Sequence, residues 1–343
     1  MVSSKPITYL QNVVLRKRKS LMGGFLITIF NLYTKFGARL SNKVASQNNK
    51  IISETYLRAR HAQQIFTGKQ YTFVTVDKLV KWTNEWIKLF PTNYDIIIGI
   101  PRSGLLVANV IALKLGKPVT TPELFTQNQH WQSKLINKKE RYTTVLLIDD
   151  SATSGKAMVE SFQLLKSYNK DLVITKAALI VTEQSKEAVD LYYKIIPHPR
   201  IFEWNLLHAK KGKVASDLDG VICENCPAGI DSNEQLYVEW LKNARPYLIP
   251  SFEIDVIVSN RLEKYRSETE TWLSNHGVQY KELILWNIKS KQDRKGQHAV
   301  HKIEVLLKIK PEFFWESSFW EAKQIWESTS IPTLCVDEMI LFC

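Results

Sequence analysis

The chain has 343 residues, 23% of them charged and 45% hydrophobic, with 13 Gly, 12 Pro and four Cys. At about 100–200 residues per domain this length suits two globular domains, and the composition excludes collagen, wholesale disorder and a disulfide scaffold. The formal charge of +12 is unevenly placed: residues 1–70 carry twelve Lys or Arg and one acid, Glu54, so the rest of the chain is close to neutral.

In that basic region, read as an extension or hood over residues 1–90, Arg16-Lys17-Arg18-Lys19 precedes an apolar stretch from Leu21 to Tyr33. The order imitates the first two parts of a signal peptide. The stretch is shorter than the about 20 residues a membrane span needs, it includes Gly23, Gly24, Thr28 and Asn31, and no Ala-x-Ala cleavage site follows. Two readings stay open: a basic amphipathic segment on an anionic membrane surface, or a packed helix with a solvated basic face. Both predict a cytoplasmic chain, the first with peripheral attachment to the inner face of the membrane. No nucleic-acid-binding motif accompanies the charge, so nucleic acid is not expected as a partner.

From about Tyr94 short β-branched runs alternate with helical stretches. Ile96–Ile100, Val145–Ile148 and Ala177–Val181 are apolar throughout, the pattern of parallel strands covered on both faces. A Lys-rich stretch, Lys210-Lys211-Gly212-Lys213, is followed by a fresh strand at Val214–Ser216. The alternation then restarts, with strands at Asp255–Val258, Phe313–Trp315 and Thr333–Val336 and helices around 268–275 and 319–326. The division predicted is 91–208 and 209–343, each an α/β unit with a Rossmann-like parallel sheet.

The first run of chemistry is Asp149-Asp150-Ser151-Ala152-Thr153-Ser154-Gly155-Lys156-Ala157, between a strand and a helix. Two carboxylates at a strand's end suit the vicinal hydroxyls of a ribose, directly or through Mg²⁺. The Thr-Ser-Gly turn opens a helix whose free N–H groups suit a phosphate. A Walker A loop fails here, because Asp150 stands where its first Gly belongs and Ala157 follows Lys156.

These residues resemble the PRPP-binding signature of type I phosphoribosyltransferases, and Ile98–Gly104 resembles that family's pyrophosphate loop. The resemblance covers roughly residues 90–205. It implies that Asp149 and Asp150 bind the ribose hydroxyls and that Thr153, Ser154 and Gly155 cradle the 5-phosphate. It also implies that Arg102, Ser103 and Gly104 face the pyrophosphate. Ala157 departs from it, standing where the family usually carries a hydroxyl. Residues 1–90 show no nucleobase-reading signature.

Further on, Asp217-Leu218-Asp219-Gly220 follows the fresh strand. There one carboxylate can attack phosphorus while a second, two residues on, handles protons. Ser259-Asn260-Arg261 ends a later strand, Lys302 opens a later helix, and Glu316-Ser317 follows another strand. Hydroxyl, cation and acid at successive strand ends are what a phosphoaspartate enzyme requires. The four motifs resemble the phosphatase branch of the haloacid dehalogenase superfamily. By resemblance Asp217 is the nucleophile, Asp219 the acid/base, Ser259 and Lys302 the phosphate binders, and Asp217, Asp219 and Glu316 the Mg²⁺ ligands. Glu321 is a second acid candidate, or a residue of the helix surface. Ser259 follows Asp217 by 42 residues and Lys302 follows Ser259 by 43, which leaves room for no more than a minimal cap and so for a phosphate on a large molecule.

Cys223-x-x-Cys226 lacks a second close pair, and His298 with His301 lacks a completing cluster, so neither is read as a metal site. The order of the two sites resembles the dual-domain ribofuranosyltransferases of bacterial surface polysaccharide assembly. That resemblance implies phosphoribosyl transfer from PRPP to a glycan hydroxyl on a lipid-linked acceptor, then removal of the 5-phosphate, with Mg²⁺ in both halves. The alternative is a nucleobase phosphoribosyltransferase fused to a nucleotide phosphatase.

Overall fold

The computed structural model describes residues 71–89, 91–134, 141–288 and 297–343. The basic segment, with its expected membrane or helix role, lies outside the described residues.

The first half is built on β2 (Ile96–Gly99), β3 (Val119–Thr120), β4 (Thr144–Ser151), β5 (Val173–Val181) and β6 (Leu191–Ile195), all parallel in the order β3-β2-β4-β5-β6. The uniform apolarity of these strands has a direct cause. Ile97, Leu146 and Ile148 pack on one face with Val107 and Ile111 of α2 (Gly104–Leu115). Ile96, Ile98, Val145 and Leu147 pack on the other with Met158 and Leu165 of α4 (Lys156–Tyr168). Both faces are dry, so no position in the strand core tolerates a polar residue until the strand reaches its carboxyl end. Before this sheet come β1 (Thr72–Val74) and α1 (Val76–Trp86), the latter capped by Thr75 and burying Leu79 and Trp86 in the first of those faces. A short α3 (Pro122–Thr126) follows β3.

β1 pairs in parallel with β7 (Arg200–Phe202) as a separate two-stranded ribbon. Strand alternation makes this ribbon a joint. Val74 and Phe202 enter the core of the first half, while Phe73 and Ile201 enter that of the second.

The second half has the order β10-β9-β8-β11-β12-β13. Its strands are β8 (Val214–Ser216), β9 (Ile254–Leu262), β10 (Tyr280–Trp286), β11 (Phe313–Glu316), β12 (Thr333–Cys335) and β13 (Ile340–Phe342). All pair in parallel except β13, which closes the edge antiparallel to β12. Four helices cover it: α5 (Glu234–Asn243), α6 (Arg266–Asn275), α7 (His298–Ile309) and α8 (Phe319–Thr329). The chain restarts its alternation where expected, and the α/β class with parallel Rossmann-like sheets holds in both halves. No described helix is long and apolar enough to cross a membrane.

Ile97 is fully buried at the middle of β2. Replacing it with Ala should destabilise the fold by about 2–5 kcal/mol, read as a lower urea midpoint at unchanged slope.

Candidate functional site

In the first half the polar residues gather where β2 and β4 leave the sheet. The chain passes from Gly99 through a cis Pro101–Arg102 peptide to Ser103 at the head of α2. A Cβ on Gly104 would stand 2.8 Å from Asp149 Oδ1 and 3.0 Å from Asp149 Cα, so only glycine lets α2 close onto the end of β4. Asp149 and Asp150 still belong to β4, past its last apolar residue, Ile148. Gly155, left-handed at φ 74°, then turns the chain into α4, whose first N–H groups face the loop.

Burial first, and then the charge of Asp150, push the Asp149 carboxyl well above its ordinary range. Asp150 Oδ2 accepts the Trp204 Nε1–H at 2.9 Å. Arg102 donates to Trp204 O at 2.8 Å and to Asn205 Oδ1 at 2.6 Å, while Arg200 donates to Thr153 Oγ1 at 2.8 Å. One segment, Arg200–Asn205, thus binds the two predicted loops together through Arg102 of one and Asp150 and Thr153 of the other. Sequence reasoning found none of Arg200, Trp204 or Asn205. They lie in no motif and reach their partners across 47 to 103 residues of chain.

In the second half Asp217 stands just past β8 and is 5% exposed. Lys302, one turn into α7, is 2% exposed and donates to Asp217 Oδ2 at 2.7 Å, Glu316 Oε2 at 2.7 Å and Glu321 Oε2 at 3.0 Å. Glu321 therefore belongs to this cluster. Burial pushes Asp217 up, with Lys302 opposing it, and burial likewise raises Glu316. Burial would lower Lys302, but the Asp217, Glu316 and Glu321 charges more than reverse that and hold its ammonium well above the ordinary value.

Asp219 faces elsewhere. Buried Arg261 clasps it with Nε at 3.0 Å and Nη2 at 2.6 Å, and Arg261 in turn lies over the Trp240 ring at 5.1 Å. Ser259 is fully buried, and its Oγ accepts the Arg261 N–H at 3.2 Å. A cleft of about 340 Å³ brings Asp217, Asp219, Lys302, Glu316 and Glu321 to one wall system. Its lining also includes Asn260, which carried no role in the sequence reading, and His298, beside Lys302 on α7, and does not include Ser259.

Residues 63–209 match the family described as phosphoribosyl transferase domain. That span takes in both loops described above, from Gly99 to Gly104 and from Asp149 to Gly155. The chain is 30% identical over 95 residues to an orotate phosphoribosyltransferase of Pyrobaculum islandicum, covering 26% of this chain and 48% of that protein. It is also 30% identical over 97 residues to the orotate phosphoribosyltransferase of Staphylothermus marinus, covering 28% and 46%. The chain spans about half the length of these curated relatives. Among solved structures, the Helicobacter pylori xanthine-guanine-hypoxanthine phosphoribosyltransferase aligns at 15% identity and TM-score 0.33, over 40% of this chain and 94% of that one.

The acids of both halves fit a hard divalent cation in their chemistry. They are carboxylate oxygens, and burial pushes Asp149, Asp217 and Glu316 upward, which a nearby cation would reverse. Among the described residues no three His, Cys, Asp or Glu side chains are gathered as a metal-ligand set. Asp217 and Glu316 converge on the Lys302 ammonium, and Asp219 on Arg261.

Two outcomes test these electrostatics in metal-free buffer. An acid whose folded pKa is raised costs stability once pH exceeds its unfolded value, so Asp149→Asn should raise Tm at pH 7 by about 2–4 °C, with the gain gone at pH 4. Lys302→Met leaves buried carboxylates without their cation and should cost about 3–5 kcal/mol at pH 7, part of it recovered as the acids protonate at low pH; denaturant melts at the two pH values read both effects.

Proposed function

We propose that the chain transfers a 5-phosphoribosyl group from PRPP to a glycan hydroxyl, releasing pyrophosphate, and then hydrolyses the 5-phosphate to leave a β-ribofuranosyl residue in a surface polysaccharide. The observation that carries this reading is the buried Asp217–Lys302–Glu316 group at the carboxyl edge of a second parallel sheet, in the same chain as a phosphoribosyl transferase domain. A phosphate-handling site downstream of a phosphoribosyl-handling one makes chemical sense if the second acts on the product of the first.

In the first step Asp149 and Asp150 hold the ribose hydroxyls, Thr153, Ser154 and Gly155 hold the 5-phosphate, and Arg102, Ser103 and Gly104 receive the departing pyrophosphate. Positive charge builds at ribose C1, and the acceptor hydroxyl attacks the face opposite the leaving group, which inverts the centre to β. In the second step, in residues 209–343, Asp217 attacks the 5-phosphate and Asp219 protonates the leaving sugar hydroxyl. Water then hydrolyses the aspartyl-phosphate with Asp219 as base. Lys302 offsets charge on the phosphate oxygens, while Ser259, buried behind the cleft, holds the backbone of Arg261. Mg²⁺, held by Asp217, Asp219 and Glu316 in the second half and beside Asp149 and Asp150 in the first, supplies charge neutralisation for the phosphates when bound. The acceptor is lipid-linked, and the basic segment keeps the chain at the inner face of the membrane.

A second reading is favoured by the names of the relatives, which are orotate phosphoribosyltransferases. It makes the first half a nucleobase phosphoribosyltransferase and the second a nucleotide phosphatase.

Mass spectrometry separates the two. Asp217→Asn protein given PRPP, Mg²⁺ and short synthetic glycans should accumulate a phosphoribosyl-glycan, which added wild-type protein converts to the ribosyl form. Asp149→Ala with Asp150→Ala should abolish transfer and leave phosphatase activity. Modification of orotate or a purine with every glycan untouched would replace the glycan reading by the second one.

A further inference from the structure

The Lys302 ammonium carries three N–H bonds, and Asp217, Glu316 and Glu321 accept all three. Ser259, the hydroxyl expected to hold a phosphate oxygen, is fully buried and lies outside the lining of the cleft. The oxygens of a phosphate monoester accept hydrogen bonds, so a site for one needs N–H or O–H groups directed at them. Where β9 and α7 meet the cleft, its wall is made by Asn260, the residue after Ser259, and His298, the first residue of α7.

Behind these two residues runs a chain of hydrogen bonds with one direction. The His301 ring is 9% exposed and lies flat on Trp286, ring centres 4.7 Å apart and planes within 6°. Its Nδ1 is 3.2 Å from Asn260 Oδ1, and an amide oxygen only accepts, so His301 donates there. Burial, then the charges of Lys302 and Lys308, lower the His301 pKa to about 4, which keeps the ring neutral with its single proton on Nδ1. The amide orientation follows, and Asn260 Nδ2 faces His298 Nδ1 at 3.4 Å. An amide nitrogen only donates, so His298 Nδ1 accepts and that ring carries its proton on Nε2. Trp286 steadies the same ring edge-on at 6.4 Å.

We propose that His298 is a phosphate-binding residue of the second site: its Nε2–H donates to an oxygen of the bound phosphate monoester, the role expected of the Ser259 hydroxyl, and Asn260 and His301 are the positioning residues that set its tautomer. The proposal rests on the phosphatase reading of residues 209–343 and on neither choice of acceptor. His298 stands one helical turn before Lys302, so both groups come to the cleft from one face of α7. Lys302 then keeps its carboxylate bonds, its charge still offsetting that of the phosphate, and the imidazole makes the directional contact.

The test uses the full chain with Mg²⁺, ribose 5-phosphate as substrate and inorganic phosphate as competing ligand. His298→Phe, which keeps a ring, should raise KM and the phosphate inhibition constant together by about tenfold or more with kcat little changed. His298→Gln, whose amide nitrogen falls near the Nε2 position, should stay within about threefold of wild type. In ¹⁵N NMR the His298 signal, identified by its loss in His298→Gln, should show the proton on Nε2 and should shift when phosphate is added. If wild type hydrolyses ribose 5-phosphate while His298→Phe leaves KM and the inhibition constant unchanged, or if the His298 proton sits on Nδ1, the assignment falls and the phosphatase reading stands. A loss in kcat alone also overturns it. Wild-type protein that neither hydrolyses ribose 5-phosphate nor binds phosphate overturns both readings together.

Discussion

Among the described residues the Lys302 ammonium is the cation that Asp217, Glu316 and Glu321 share, deeply buried at the wall of the cleft, and the order of the second half follows from it. Coulomb attraction in that medium is strong, but so is the cost of bringing the charges there. The balance holds only because four elements arrive together: α7 with the lysine, the end of β8 with Asp217, β11 with Glu316 and α8 with Glu321. The backbone assists, with the Ser317 and Ser318 N–H groups donating to Glu316 Oε1 at 2.9 and 3.2 Å. A neighbouring pair repeats the arrangement, Arg261 clasping Asp219 under the Trp240 ring, so Asp217, Asp219, Glu316 and Glu321 have fixed directions before any ligand arrives.

The first half reaches the same end by other means. Its acids are short of cations, and the loops are fixed instead by a segment from outside the sheet. Trp204 and Asn205 hold Asp150 and Arg102, and Arg200 holds Thr153. Because Phe202 is buried in the core beside them, and stacks on Trp204 with ring centres 4.8 Å apart, the position of the loops is tied to the packing of the joint. Gly104 completes this by letting α2 approach Asp149 more closely than any side chain would permit.

The sheets were legible in the amino-acid sequence because strands buried on both faces leave an unbroken apolar run. Their ends were less so. Reading β4 as Val145–Ile148 and β9 as Asp255–Val258 stops at the first polar residue, whereas the structure carries β4 through Ser151 and β9 through Leu262. Those added residues are the chemical ones, Asp149, Asp150, Ser259 and Arg261, since a parallel strand's polar tip is where a ligand is met. Acids and hydroxyls close together in sequence announced themselves as motifs. Arg261 appeared only as the last residue of the Ser259-Asn260-Arg261 strand end and without a role, because an arginine in sequence reads as solvated, and its burial depends on Asp219, 42 positions earlier. Trp204 and Arg200 left no local trace at all: their roles exist only once β7 pairs with β1.

The ribbon of β1 and β7 also fixes how the two halves face. A cavity beside the donor loop is walled by Val214 and Phe313, the first residues of β8 and β11, while Asp217 and Glu316 lie at the far ends of those strands. Trp315 also lines that cavity and the next residue, Glu316, lines the cleft of the second half, so packed side chains at the ends of β8 and β11 stand between the two spaces. Among the described residues no open passage joins the two spaces, so in the proposed two-step reaction the product of the first site would reach the second through solvent, and its fate would become a matter of diffusion and dilution. A freely soluble intermediate would escape at low protein concentration. One tethered to a long chain or a surface would swing round the edge of the molecule and return at high local concentration, which makes the length and anchoring of the acceptor a determinant of flux.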